Sequence, residues 1–178
     1  LPIQSGSNKI LKKMNRNHTK SDYINLVKRI KSKIRDMAFS SDFIVGYPGE
    51  SDDDFNQTLD LIDNVRFASS YSFKYSPRPG TLSSLKHPNI VDDNTASSRL
   101  QKLQSLLNQQ QNEFNSEFVG NIEEVLFTEN GKLENQYVGR TKYLQPVHVF
   151  SKSNIIGKTL KVHLRDLTSF SFHGSIKS

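Results

Sequence analysis

A short apolar run, three loop-forming residues and a helix start follow one another in Ser40-Ser41-Asp42-Phe43-Ile44-Val45-Gly46-Tyr47-Pro48-Gly49-Glu50-Ser51, an order that suits ligand binding. An apolar, partly β-branched run (Phe43, Ile44, Val45) is broken by Gly46, Pro48 and Gly49. Ser51 then stands where it can cap a helix, with Asp54 as its capping-box partner. The order is strand, tight loop, helix N-terminus. Glycines at a strand end let backbone N–H groups approach a ligand, and ligands of barrels and open α/β sheets bind beyond the carboxyl ends of the strands. A βα turn that holds no ligand fits the same spacing. Leu1-Pro2-Ile3-Gln4-Ser5-Gly6-Ser7 and Tyr75-Ser76-Pro77-Arg78-Pro79-Gly80-Thr81 are loops of similar character.

These loops need elements to hold them. Leu1 to Gln4 reads as the end of a strand, and Ser5-Gly6-Ser7 turns the chain into a short helix through Ile10, Leu11 and Met14. A second helix is expected from about Ser21, with Tyr23, Val27, Ile30 and Ile34 as its buried stripe. The helix after Ser51 should bury Phe55, Leu59 and Ile62, and a strand should follow over 70–75. Helix alternating with strand implies parallel strands with right-handed crossovers, which brings all three loops to one mouth. Residues 82–93 read as a polar connection. A long helix is expected from Asn94 to about Phe118, with Leu100, Leu103, Leu107, Phe114 and Phe118 on one face. Its other face carries Gln101, Gln104, Gln109, Gln110, Gln111 and Asn112.

The pattern then changes to short strands, expected over 122–128, 136–141, 146–150, 158–165 and 170–176, with Asn130-Gly131 and the 154–157 stretch as turns. Five short strands suggest a small antiparallel barrel of the OB type. A domain boundary near residue 118 follows from the switch in period.

Composition sets outer bounds. The 178-residue chain has Cys 0 and Trp 0, so it holds neither a disulfide framework nor a thiolate metal site. Its five histidines (His18, His87, His148, His163, His173) show no metal-ligand spacing. No apolar run is long enough to span a bilayer and no signal peptide is evident, so a cytoplasmic protein with no membrane partner is expected. Charge is uneven: residues 1–35 carry ten Lys or Arg against the single acid Asp22, and residues 36–65 carry eight acids and no base. Such a basic segment suits a polyanion, or a solvated helix face.

In this order, with a small β-barrel after them, the three loops resemble the methylthiotransferase family of radical S-adenosylmethionine (SAM) enzymes. Met14-Asn15-Arg16-Asn17-His18-Thr19 fits the family's segment after the first loop. Ser40 to Ser51 and Tyr71-Ser72-Phe73-Lys74-Tyr75-Ser76 look most like the branch that modifies isopentenyladenosine in tRNA. The resemblance implies an α/β fold, a partial parallel (β/α) radical SAM barrel over 1–117, followed over 118–178 by a small antiparallel OB-like β-barrel, the TRAM domain, which binds RNA. It implies SAM and two 4Fe-4S clusters as cofactors, tRNA containing isopentenyladenosine as substrate, and an electron donor. The product would carry a methylthio group at carbon 2 of the adenine beside the anticodon. The cluster-binding cysteines are absent from this chain, which is therefore expected to be the C-terminal part of a longer enzyme and inactive alone.

Residue roles follow by position in those motifs. Gln4 and Ser5 would bond the polar rim of SAM, or cap their turn. Ile44 and Val45 would pack on its adenine, with Gly46 and Gly49 admitting the backbone, and Tyr75 closing the third loop. Glu50 would touch the ligand, or only complement the next helix's dipole. Arg78 would pair with RNA phosphate, or with the acidic 50–54 segment. In the second domain Arg140, Lys142, Lys161 and Arg165, interleaved with Tyr137, Tyr143 and Phe150, suit RNA contact. Two rival readings stay open. One is a relative acting on threonylcarbamoyl-adenosine tRNA or a ribosomal protein, and the other is a non-catalytic RNA-binding module.

Overall fold

A computed structural model describes residues 2–77 and 90–177. The chain divides into two compact units, Leu1–Gln111 and Asn112–Ser178. The division falls inside a long helix.

In the first unit, helix α1 (Asn8–Lys13) starts at Ser7, whose hydroxyl accepts the Ile10 N–H. Helix α2 (Lys20–Lys33) starts at a capping box between Thr19 and Asp22. Strand β1 (Ser40–Val45) leads into helix α3 (Asp52–Val65), which opens on the expected capping box of Ser51 and Asp54. Strand β2 (Ser69–Lys74) lies parallel to β1 in the register Asp42↔Tyr71, Ile44↔Phe73. The segment before α1 joins the same sheet on the other side of β1. The Gln4 N–H donates to the Asp42 carbonyl and the Ile44 N–H to the Gln4 carbonyl, a parallel bridge. Three chain segments thus run side by side, and their carboxyl ends point the same way.

One face of this sheet is packed and the other is open. Phe43 and Val45 are fully buried, in a core with Ile3, Leu61, Ile62, Phe67 and Leu103. Phe43 meets Phe67 edge to face at 5.4 Å. Tyr71 and Phe73 on the opposite face are 71% and 53% exposed. Helix α4 (Asp93–Ser116) contributes Leu103 and Leu107 to the core.

Two expectations about helix faces are corrected. Ile34 is half exposed, because α2 ends before it and its backbone is extended. Gln110 is not on a solvent face: its carbonyl accepts the Phe67 N–H at 3.0 Å and its amide donates to the Ile62 carbonyl at 3.1 Å. It closes the hydrogen bonding of the α3–β2 connection, which apolar side chains cannot do.

The second unit is a closed five-stranded barrel in the order β3-β4-β5-β7-β6. Its strands are β3 (Ile122–Asn130), β4 (Gln136–Arg140), β5 (Pro146–Phe150), β6 (Thr159–Leu167) and β7 (Phe172–Ile176). The expected all-antiparallel barrel is corrected: β5 and β7 pair in parallel, which closes the cylinder, while the other pairs are antiparallel. Alternation puts Val125, Phe127, Val147, Val149, Val162, Leu164 and Phe172 inside. Irregularities between Phe127 and Glu129 and between Leu164 and Asp166 bend β3 and β6 for closure. Gly139 is fixed by space, since a Cβ there would stand 2.5 Å from Val125 Cγ1 and 2.7 Å from the Leu126 carbonyl oxygen. No helix among the described residues is long and apolar enough to cross a membrane.

Candidate functional site

The parallel segments end in the loops singled out by sequence, at 4–7, 46–51 and 75–77. Residues 78–81 of the third loop, and with them Arg78, lie outside the described residues, as does the connection at 82–89.

The middle loop is held from several sides. Gly46 and Gly49 have φ of 72° and 77°, and the Glu50 N–H closes the turn on the Tyr47 carbonyl. The Glu50 side chain points back under it, and its Oε2 accepts the Gly46 N–H at 2.8 Å. The same oxygen pairs at 2.9 Å with Arg99 of α4, and both side chains are buried. Arg99 also donates to the Glu50 carbonyl at 3.1 Å and to Asp52 Oδ1 at 2.7 Å. Burial pushes the Glu50 carboxyl up, and the Gly46 N–H and the Arg99 charge only partly offset this. Lys13 donates to the Pro48 carbonyl at 3.2 Å, and the Tyr47 hydroxyl donates to the Lys13 carbonyl at 3.1 Å. The last turn of α1 is thereby tied to the loop.

The first loop is anchored through Asp54. The carboxylate accepts Ser7 Oγ at 2.7 Å, Lys9 Nζ at 2.6 Å, the Ser51 N–H at 2.9 Å and Ser51 Oγ at 2.8 Å. Burial opposes ionisation, but these four donors outweigh it and hold the carboxyl well below the usual range.

A cavity of about 300 Å³ opens beside these strand ends, lined by Gly46, Pro48, Tyr75, Pro77 and the start of α4 among others. The Tyr75 N–H donates to the Val45 carbonyl at 2.8 Å, and its ring meets Tyr47 at 5.0 Å. Its hydroxyl is buried and has no hydrogen-bond partner among the described residues. Buried hydroxyls are rarely left without a hydrogen-bond partner.

The structure therefore brings Gly46 and Tyr75 to one cavity, leaves Gln4 at the adjoining strand end outside that lining, and sends the other candidates elsewhere. Gln4 is 8% exposed with a left-handed φ of 76°, beside β1. Ser5 is fully buried; its hydroxyl lies 3.3 Å from Thr58 Oγ1 and accepts the Ser7 N–H. Ile44 and Val45 point to opposite faces: Val45 is in the core, and Ile44 shares the open face with Phe73. Gly49 lies against Lys13. Glu50 is held within the protein. Arg99, which sequence reading passed over, pairs with the acidic 50–54 segment, one of the two roles weighed for Arg78. A lone arginine on a Gln-rich helix gives no local signal of its partner.

In the barrel, Arg140, Lys142, Lys161 and Arg165 are all exposed. Arg140 caps the Leu144 carbonyl at 3.1 Å, and Lys142 lies 4.9 Å over the Tyr143 ring. Lys161 stands opposite Glu124, and Arg165 sits at the β6 irregularity. Arg140 pairs through Leu126 with the Thr159 row. At ~3.3 Å per strand residue, Arg165 is about 20 Å along the barrel from that row, so the four do not form one cluster. Tyr143 is also engaged by Phe114 and Phe118, and is a packing residue. Among the described residues no group of His, Asp or Glu is placed to hold a metal ion.

Comparison with known proteins gives a consistent set of matches. Residues 1–62 match the radical SAM superfamily model. The chain is similar to the tRNA-2-methylthio-N(6)-dimethylallyladenosine synthase of Ehrlichia ruminantium, 52% identical over 84% of this chain and 33% of that protein. It is similar to the proteins of the same name from Bartonella bacilliformis (47% identical, 98% of this chain, 38% of that one) and Bartonella tribocorum (46%, 99% and 38%). The chain spans about a third of the length of these relatives.

Proposed function

The chain belongs to the methylthiotransferase family of radical SAM proteins, and from that premise we propose that it serves a tRNA methylthiotransferase acting at carbon 2 of isopentenyladenosine. The first unit is a portion of a (β/α) barrel that holds SAM beyond its strand ends. The second unit is a TRAM-like barrel of the OB type that positions tRNA. What supports the second assignment is the strand order, in which a fifth strand inserts between the third and fourth and closes a five-stranded barrel.

The observation that carries the reading is the cavity at the strand ends. Tyr75 lines it and carries a buried hydroxyl with no hydrogen-bond partner among the described residues, and Gly46 brings backbone to its edge. Both suit a polar nucleoside ligand. When bound, SAM supplies radical hydrogen abstraction and a methyl group. The chain's own part is to orient that ligand through Gly46 and Tyr75, with Gln4 near the same strand ends, and to shield it with the loop. The iron-sulfur clusters and their electron donor are a different case. The chain has no cysteine, so none of its residues supplies a thiolate to a cluster.

A chimaera joining the upstream part of the Ehrlichia ruminantium relative to this chain, with clusters reconstituted, tests the assignment by equilibrium dialysis of SAM. Tyr75→Phe should weaken binding roughly two- to tenfold, the worth of one hydrogen bond. It should leave stability unchanged, since it removes an unpartnered group. Gln4→Ala should weaken binding in the same direction. Absence of SAM binding with both clusters intact, or unchanged affinity in both variants, would remove these loops from the site.

A further inference from the structure

We infer, resting on the SAM-site reading above, that Arg99 is a positioning residue that locks the 46–50 loop in its ligand-ready shape by acting through Glu50. Glu50 Oε2 receives two donors at once, the Gly46 N–H at 2.8 Å and Arg99 Nη1 at 2.9 Å. The carboxylate is therefore a hinge pin between the loop's first residue and α4. Arg99 secures the loop's last residue as well, through the Glu50 carbonyl, and its other arm takes Asp52 at the start of α3. One guanidinium thus fixes both ends of the turn and the helix after it. Its underside lies 5.7 Å from the centre of the Phe55 ring, which holds it in place.

A buried carboxylate tolerates its charge only while it is paired. Without Arg99, Glu50 must take up a proton or swing out to water. Swinging out frees the Gly46 N–H and opens the turn at the edge of the Tyr75 cavity. Nothing else among the described residues offers Glu50 a positive charge. This makes α4, which lies far along the chain from the loop, the element that decides whether the loop is closed. Lys in place of Arg would keep the charge but lose the fork that reaches Glu50 and Asp52 together.

Hydrogen exchange on this chain tests the lock without SAM. Arg99→Gln should speed exchange at the Gly46 and Glu50 amides about ten- to a hundredfold, the equivalent of one charge-assisted hydrogen bond. The Leu61 and Ile62 amides of α3 and the Val147 amide of the barrel should not change. The acceleration should be greater at pH 8 than at pH 6 after correction for intrinsic exchange, because acid neutralises the orphaned Glu50. Glu50→Gln added to Arg99→Gln should restore most of the protection, since a neutral amide needs no counter-charge and still accepts the Gly46 N–H. Should Arg99→Gln fail to fold, Arg99→Lys gives the same comparison with partial loss.

Two outcomes overturn the lock: loop exchange within twofold of the parent, or equal acceleration at Leu61 and Ile62, which would make Arg99 a general support. In the chimaera, SAM affinity separates the two ideas. If the parent retains no SAM, the site reading fails while the exchange data still judge the lock. If the parent binds SAM and Arg99→Gln binds it as tightly, the lock fails while the site stands.

Discussion

Gly46 and Ala96 stand so close that a Cβ built on Gly46 would lie 2.8 Å from the Ala96 Cβ. The loop glycine is therefore demanded twice, by its φ of 72° and by the approach of α4. The two demands can be separated. Gly46→Ala should cost about 2–4 kcal/mol, from the left-handed backbone and the crowding together. Adding Ala96→Gly should recover the crowding share, so that against Ala96→Gly alone, whose helical glycine itself costs about 1 kcal/mol, about 1–2 kcal/mol of backbone strain remains. Amide protection of β1 in denaturant measures both. Full recovery in the double variant would show that the backbone conformation carries no cost.

Asp54 ties Ser7 and Lys9 to the start of α3 and so joins two of the strand-end loops. Its carboxyl is held below the usual value of 3.8 despite burial. As pH falls the unfolded chain takes up this proton first, so the contribution is intact above about pH 5 and is lost progressively as pH drops from 3.8 toward the lowered folded value. Asp54→Asn should destabilise the first unit by roughly 1–3 kcal/mol at neutral pH. Its difference from the parent should shrink between about pH 4 and 2. A difference that stays constant down to pH 2 would mean the charge is not what matters.

Much of the fold was legible because its signals are local. The Ser51–Asp54 box, the glycine-broken strand end and the alternation in Lys161-Val162-His163-Leu164-Arg165 each depend on neighbours within a turn or a few residues. What escaped depends on distant partners. Gln110 reads as a solvent residue until Phe67 offers it a buried N–H, and Arg99 reads as one more helix cation until Glu50 faces it. The resemblance puts Ile44 and Val45 on one adenine surface, but a strand alternates, and only Ile44 is on the open face. The parallel closure of β5 on β7 belongs to the barrel's topology and leaves no mark in either strand.

His148 and His173 face each other across that parallel pair, ring centres 5.6 Å apart. Burial, then His173 and Lys132, push the His148 pKa below its usual 6.5. The unfolded chain therefore binds this proton more readily than the folded barrel. Barrel stability should be unaffected at pH 8 and should fall as pH drops through 6.5. His148→Gln should flatten that slope. Amide protection of β5 at pH 5 and pH 8 is the measurement. An equal slope in parent and variant would assign the pH dependence elsewhere.

If the barrel positions tRNA by charge, Arg140 and Lys142 act on phosphate and not on the base. Replacing both with Ala should weaken tRNA binding and reduce the salt slope by roughly one unit per lost contact or less. Preference for isopentenylated over unmodified tRNA should persist. Filter binding across a salt series decides this. Loss of preference with an unchanged slope would reverse the division of labour.

If this chain is the C-terminal part of a tRNA methylthiotransferase, it should complete the reaction when joined to the upstream part. The most direct measurement is nucleoside mass analysis of isopentenylated tRNA incubated with the reconstituted chimaera, SAM and a reductant. The expected product is the 2-methylthio derivative of isopentenyladenosine, formed only when this chain is joined to the upstream part. Reconstituted clusters and bound SAM without any 2-methylthio product would contradict it.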